Sequence, residues 1–280
     1  MTASIRDLLR ARPVEGRFSL ASVDTKATRG VGRGKAEREA ERDRNQLARW
    51  QERLYAESAR SLLVVLQGMD TSGKDGTIKH VIGAMNPQGV RVTSFKEPTE
   101  RERAHHFLWR IRRALPAAGQ VGAFNRSHYE DVGIVRVHNL VPEEEWRTRF
   151  ATINRFERGV SARGATIVKI FLHISLEEQR KRLLRRLEDP TKRWKFDPKD
   201  LAERELWEPY TQAYSDAITR CSTEHAPWYV VPADSKWFRN WAIGRLLVET
   251  FEEIRPRYPQ PPLDLPALRT RLKRSSSRKA

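Results

Sequence analysis

The sequence predicts an α/β protein: a parallel five-stranded sheet flanked by helices, built on a P-loop and closed by a helical lid. Three observations predict it. Five short apolar or alternating runs, at 62–66, 90–95, 121–124, 166–174 and 228–231, are each followed by a helical pattern. Strand and helix in alternation imply a parallel sheet. The first run meets Gly68; Gly73 and Lys74 follow, and Thr77, Ile78 and Val81 begin a helix. Strand, G-x-x-x-x-G-K, helix is the context of a phosphate-cradling loop. An arginine-rich helix and charged loop over about 180–203 supply the lid.

The loop carries the chemistry. Gly68, Gly73 and Gly76 let backbone N–H groups turn inward. The helix N-terminus adds partial positive charge and Lys74 a full one. With Asp75 these residues form the candidate phosphate cradle. Asp75 stands where the common pattern has Ser or Thr, so the hydroxyl that usually ligates Mg²⁺ is missing. Asp70, inside the loop, offers a hard carboxylate oxygen that suits Mg²⁺. The competing reading is a Gly-rich turn with no ligand; the strand and helix on either side favour phosphate.

Residues 1–34 read as a basic arm with few apolar anchors. Part of it can lie as an arm across the domain; Lys26, Arg29, Arg33 and Lys35 surround glycines, so this stretch either follows an extended anion or is a flexible solvated arm. The main domain is expected over 35–256. Lys35–Ser58 is a strong helix former with Leu47, Trp50, Leu54 and Tyr55 in a stripe. After the loop helix, Asn86-Pro87-Gln88-Gly89 is a turn. Pro98 and Thr99 open one helix that runs to Leu115, with Phe107, Leu108, Ile111 and Leu115 on one face. His105 and His106 are adjacent and point different ways on a helix, a poor metal pair. The third strand ends in FNRSHYED. Ligands sit beyond the carboxyl ends of parallel strands. Asn125, Arg126, Glu130 and Asp131 therefore fall where a second phosphate motif belongs. Ser127-His128 has no G-x-S-x-G context and is structural or positioning.

A helix over Glu143–Val160 precedes the fourth strand. Ser175 and Glu178 read as a capping box for EEQRKRLLRRL. The loop EDPTKRWKFDPKD then brings Lys192, Arg193 and Lys195. Arginines on a helix leading into such a loop resemble the lid of a nucleotide kinase, which closes over phosphates, excludes water and brings cations. The bland alternative is an exposed amphipathic helix and a surface loop. Helices over Arg204–Cys221 and Trp237–Ile254 flank the fifth strand; the tail 257–280 is Pro-rich and basic, and its end, RTRLKRSSSRKA, is expected to be disordered.

Composition narrows the partners. The 280 residues have a formal net charge of +17, with 39% hydrophobic and 32% charged residues. That balance predicts a polyanion: nucleic acid, acidic lipid or polyphosphate. Cys221 is the single cysteine, which excludes an intramolecular disulfide and a thiolate metal cluster. No secretory h-region and no membrane-length apolar run occur, so a cytoplasmic protein is expected.

Six segments together resemble the type 2 polyphosphate kinases, or polyphosphate–nucleotide phosphotransferases. They are LLVVLQGMDTSGKDGTIKHV, NPQGVRVTSF, HFLWRIRRALP, FNRSHYEDV, FLHISLEEQRKRLLRRLEDPTKRWKF and APWYVVPADSKWFRN, in the family's order, over roughly residues 15–260. The resemblance implies a P-loop kinase-like fold and phosphoryl transfer between inorganic polyphosphate and nucleoside mono- and diphosphates. It implies Mg²⁺, with Mn²⁺ as an alternative, and a homodimer or homotetramer. By the same likeness Asp70 would hold metal and orient the acceptor, and Lys74 would neutralise the transferring group. Arg126 would bind phosphate, Arg182 and Arg186 would be lid arginines, and Lys192 and Lys195 would extend the cationic surface. Many members have Asp at Asn125 and Asn at Glu130; FNRSHYED resembles the class III subgroup, which accepts mono- and diphosphates. Glu130 would add a metal or water ligand there. His106 stands where an acid is frequent in the family.

Phosphoryl transfer needs positioning and charge neutralisation rather than a covalent nucleophile, and the excess positive charge suits a long anionic donor without nucleic acid. Two rivals remain. An ATP-dependent nucleoside monophosphate kinase shares the loop and lid, but Asp75 speaks against it. A basic nucleic-acid-binding protein lacks any zinc-finger, aromatic RNA-binding or helix-turn-helix signature.

Overall fold

The computed structural model describes residues 4–276. Five strands form one sheet: β1 (Ser61–Gln67), β2 (Val90–Ser94), β3 (Val121–Asn125), β4 (Ala165–His173) and β5 (Trp228–Pro232). Their order is β2-β3-β1-β4-β5, and every pair is parallel. β1 is buried along its whole length, as a continuous apolar run covered on both faces should be. β2, at one edge, is only partly covered. Register does the functional work. Leu66 of β1 pairs with Asn125 of β3. The loops leaving both strands therefore emerge side by side.

The helices are α1 (Ile5–Leu9), α2 (Arg33–Glu57), α3 (Lys74–His80), α4 (Glu100–Arg103), α5 (Trp109–Ala114), α6 (Ile134–Val137), α7 (Glu143–Ser161), α8 (Leu176–Glu188), α9 (Lys199–Glu205), α10 (Trp207–Cys221), α11 (Lys236–Ile254) and α12 (Leu265–Ser276). The longest, α2, lies against α11 and buries Leu47 and Leu54 from the expected stripe. Tyr55 from the same stripe is 51% exposed. The α2–α11 contact also buries an ion pair, Asp43 with Arg245 at 2.8 Å.

Four expectations are corrected. The arm does have anchors: Ile5, Leu9, Ala11 and Leu20 are buried. The N–H groups of Ile5 and Arg6 donate to Glu249, and Ala11 N–H donates to the carbonyl of Trp228 at 2.8 Å. Arg10 thereby bridges Tyr229 in antiparallel fashion, against the outer edge of β5. These anchors fit neither helical nor strand periodicity, so pattern alone does not reveal them. The helix expected from Thr99 to Leu115 is two, α4 and α5. Thr99 and Glu102 do form a capping box. However, Leu108 N–H donates to His106 Nδ1 at 3.2 Å, a local side-chain bond that replaces a ladder bond. Ser175 caps α8 through Glu178 N–H, but the reciprocal half of the box is absent. Ser175 N–H donates to Asp234, and Glu178 accepts from Arg182. The tail is not structureless: Leu265–Ser276 is helical. Its leucines, alanine and arginines are good helix formers. Residues 277–280 of that expectation lie outside the described residues.

The core contains one buried polar cluster. Lys169 on β4 donates to Tyr129 Oη at 2.7 Å, Glu157 Oε2 at 2.6 Å and the Cys221 carbonyl at 2.7 Å. His128 Nε2 lies 3.0 Å from Glu157 Oε1. The cluster pins the segment after β3 to α7 and α10.

Candidate active site

The turn from β1 into α3 needs its glycines. Gly68 has φ +148°, and a Cβ there would lie 2.6 Å from the Leu172 carbonyl oxygen. Gly73 has φ +109°, and a Cβ there would lie 1.8 Å from Arg239 Nη1. Thr71 and Arg126 both take left-handed φ, at 63° and 62°, strained for non-glycine residues. Strain of this kind gathers where side chains are held for a ligand.

Lys74 is buried, and Nζ donates to the carbonyls of Gly68 at 2.6 Å and Met69 at 3.2 Å. Burial, and then the nearby Arg126 charge, lower its pKa to about 8. A lysine folded onto its own loop, short of a full counter-charge, is ready to exchange two carbonyls for a phosphate.

Opposite it stands the motif after β3. Arg126 Nη2 donates to Asp70 Oδ1 at 2.7 Å, and Nη1 lies 3.7 Å from Glu130 Oε2. Gln67 Nε2 steadies Glu130 at 2.8 Å. Asp70, Arg126, Glu130 and Lys74 therefore converge. Asn125 donates to Asp75 Oδ1 at 2.8 Å, linking the two loops. Asp70 and Glu130 present hard oxygens. No cluster of three or more metal-ligating side chains occurs among the described residues. Mg²⁺ commonly takes one or two carboxylates and completes its shell with water and substrate phosphates, so this sparse pair suits it.

The lid residues divide. Arg182 is buried, and its donors are spent on Glu178 and on the carbonyls of Thr71, Ser72, Ala233 and Asp234. It ties the P-loop to the end of β5 instead of facing a phosphate. Arg186 joins α8 to α9 through Asp200 at 3.2 Å and the Lys195 carbonyl at 3.0 Å. Lys192 pairs with Asp189 inside the lid. Lys195 reaches across to the start of α3, 3.6 Å from Asp75 Oδ2.

A cavity of about 1200 Å³ opens from Gly68, Met69 and Asp70. Arg126 and Glu130 line the same end, and Phe107, Arg110 and Arg149 are among its walls. It is roomy enough for a nucleotide. Arg110 and Arg149 were not singled out from sequence. They alternate with the apolar faces of α5 and α7, a pattern also produced by ordinary solvent-facing arginines.

The profile of the family described as polyphosphate kinase 2 matches residues 31–259. The chain belongs to that family. It is 51% identical over 254 residues to the AMP/ADP-polyphosphate phosphotransferase of Meiothermus ruber, covering 90% of this chain and 95% of the relative. It is 44% identical over 222 residues to the ADP-polyphosphate phosphotransferase of Rhodopseudomonas palustris, covering 75% and 77%. The crystal structure of polyphosphate kinase 2 from Arthrobacter aurescens superposes with a TM-score of 0.94 at 44% identity, over 97% of each chain. This kinase family thus shares both the sequence and the architecture found here. No helix among the described residues is long and apolar enough to cross a membrane.

Proposed function

We propose that this protein transfers a phosphoryl group from inorganic polyphosphate to nucleoside mono- and diphosphates, reversibly and with Mg²⁺. One observation carries the reading. Lys74, Asp70, Arg126 and Glu130 converge where the P-loop meets a nucleotide-sized cavity, in a chain of the polyphosphate kinase 2 family. The acceptor lies in the cavity with its terminal phosphate toward Asp70. An oxygen of that phosphate attacks the end phosphorus of the donor. A new P–O bond forms as the bond to the rest of the chain breaks, and the donor leaves one unit shorter. Lys74 leaves its carbonyls for the transferring group, whose charge is spread over its oxygens. Arg126 neutralises the acceptor phosphate while holding Asp70 and Glu130 in place. Lys195 comes with the lid and helps exclude water. Bound Mg²⁺, held by Asp70 and Glu130, would supply further charge neutralisation. An Asp–Lys pair across the loop also gives the lid a closed position without substrate.

Glu130 supports acceptance of the shorter acceptor, since it adds an oxygen where a diphosphate would bring its own phosphate. The experiment is phosphorylation of AMP, ADP, GMP and GDP with polyphosphate as sole donor, repeated with ATP as donor. Transfer from polyphosphate to both mono- and diphosphates, with slow transfer from ATP to AMP, is expected. No transfer to any nucleotide refutes the reading. Efficient use of ATP alone indicates the monophosphate kinase instead. Steeply salt-dependent DNA binding without transfer indicates the nucleic-acid-binding alternative.

A further inference from the structure

β1 is apolar from Leu62 to Leu66 and then ends on a fully buried amide, Gln67. A buried amide costs stability unless its hydrogen bonds are met, and a methionine would pack there without that demand. The partners of Gln67 belong to or face the motif after β3. Nε2 donates to Glu130 Oε1 at 2.8 Å and lies 3.4 Å from Tyr214 Oη on α10. Oε1 accepts from Ser127 Oγ at 3.5 Å. The network fixes which way the amide points. Ser127 Oγ accepts from Tyr129 N–H at 3.2 Å, which leaves its own proton for Gln67 Oε1. An amide oxygen set 2.8 Å from a carboxylate would be repelled, so the nitrogen faces Glu130.

Glu130 is thus held on two sides by groups of different charge. Oε1 takes the neutral amide, with Tyr214 Oη as a longer donor at 3.5 Å. Oε2 looks toward Arg126 Nη1 at 3.7 Å, while the closer carboxylate of Arg126 is Asp70, at 2.7 Å. Arg126, Glu130 and Tyr214 line the cavity, and Gln67 stands behind its wall. A neutral donor there orients the carboxylate and leaves its negative charge for the cavity side. A lysine in its place would cancel that charge, and a glutamate would set a like charge at hydrogen-bond distance. Gln67 also precedes Gly68, whose carbonyl holds Lys74, so one amide ties the start of the P-loop to Glu130.

We infer that Gln67 is a positioning residue for acceptor choice. It sets where the Glu130 carboxylate stands at the acceptor end of the cavity, and being neutral it preserves the charge of Glu130. This rests on the proposed role of Glu130 toward the shorter acceptor.

The test compares wild type with Gln67→Met, Gln67→Glu, Glu130→Gln and the exchange that combines Gln67→Glu with Glu130→Gln, all at one pH. The readouts are kcat/KM for AMP and for ADP, AMP affinity by calorimetry, and the urea midpoint. In Gln67→Met the value for AMP should fall about tenfold or more, the loss of one hydrogen bond to a charged group, and that for ADP by less than about threefold. Gln67→Glu should lose more on AMP. The exchange again sets an amide against a carboxylate, so the urea midpoint should return toward wild type. Its AMP loss should persist, because the charge then sits behind the cavity wall. Recovery of AMP transfer along with the midpoint would give Gln67 a structural role alone and overturn the inference, as would an unchanged AMP-to-ADP ratio in a folded Gln67→Met. If that variant does not fold, Gln67→Glu, which keeps the shape, decides by the same ratio. A lowered ratio in Glu130→Gln but in neither Gln67 variant leaves the proposed function standing and removes the inference; an unchanged ratio in Glu130→Gln removes the role of Glu130 and the inference together. If wild type transfers to no nucleotide, the proposed function falls and AMP affinity decides: weaker binding in Gln67→Met supports the positioning role, and equal binding overturns it.

Discussion

Replacing Lys74 with methionine should make the protein more stable and far less active. Lys74 is 9% exposed, and its pKa falls from an ordinary 10.5 to about 8, burial being the main cause. At ~1.36 kcal/mol per pH unit this is a penalty of about 3 kcal/mol on the charged folded form. The sign follows from proton binding. Between pH about 8 and 10.5 the unfolded chain still carries a proton that the folded chain has released, so stability rises with pH there. At neutral pH both states are charged, and the folded state bears the whole penalty. Methionine removes it. The two carbonyl hydrogen bonds that vanish, to Gly68 and Met69, offset about 1–2 kcal/mol. A net gain of about 1–2 kcal/mol remains, worth a few degrees in Tm. Turnover should fall by about 10²- to 10³-fold, as when one donor to a transition-state oxyanion is lost. Denaturant unfolding at neutral and alkaline pH, with turnover on the same samples, makes the measurement. Wild type should gain on Lys74→Met in stability as pH rises above about 8. A less stable variant at neutral pH, or one that keeps kcat within about tenfold, would refute the reasoning.

Other perturbations have outcomes of their own. Burial raises the Asp43 pKa to about 6, so stability should fall as pH rises from 3.8 toward 6; Asp43→Asn should flatten urea midpoints across that window. Glu157→Gln breaks the buried pair with Lys169 and should cost about 3–5 kcal/mol by denaturant unfolding. An unchanged midpoint would mean the cluster is incidental. Gly73→Ala forces a Cβ onto Arg239 at a positive φ and should cost about 1–3 kcal/mol, with weaker polyphosphate binding. Glu130→Gln should reduce transfer to AMP more than to ADP, seen in the ratio of kcat/KM values.

The sheet was legible because its strands are short apolar runs with helical periodicity between them. The P-loop was legible because Gly68, Gly73 and Lys74 mark it locally. Contacts between distant segments were not legible. Nothing in the spacing says that Arg126 will meet Asp70; only the pairing of β1 with β3 does that. The family resemblance makes Arg182 a lid arginine, yet its five donors go to main-chain carbonyls and one carboxylate that tertiary packing brings to it. Arg239 sat unnoticed beside Phe238, since a single arginine in an apolar helix resembles a surface residue until its burial is known. The break between α4 and α5 escaped for a different reason. His106 supplies a local acceptor for Leu108 N–H, and propensity scales do not count such bonds.

The antiparallel contact of Arg10 with Tyr229 has a bearing on how copies of this chain can meet. An open strand edge invites another chain to add itself to the ladder. Here the arm takes up that rim at Trp228, so a neighbouring copy cannot extend the sheet from the β5 side without displacing it. Deleting residues 1–18 would bare main-chain groups there and should show itself as concentration-dependent self-association in light scattering, even with the phosphate-handling loops intact.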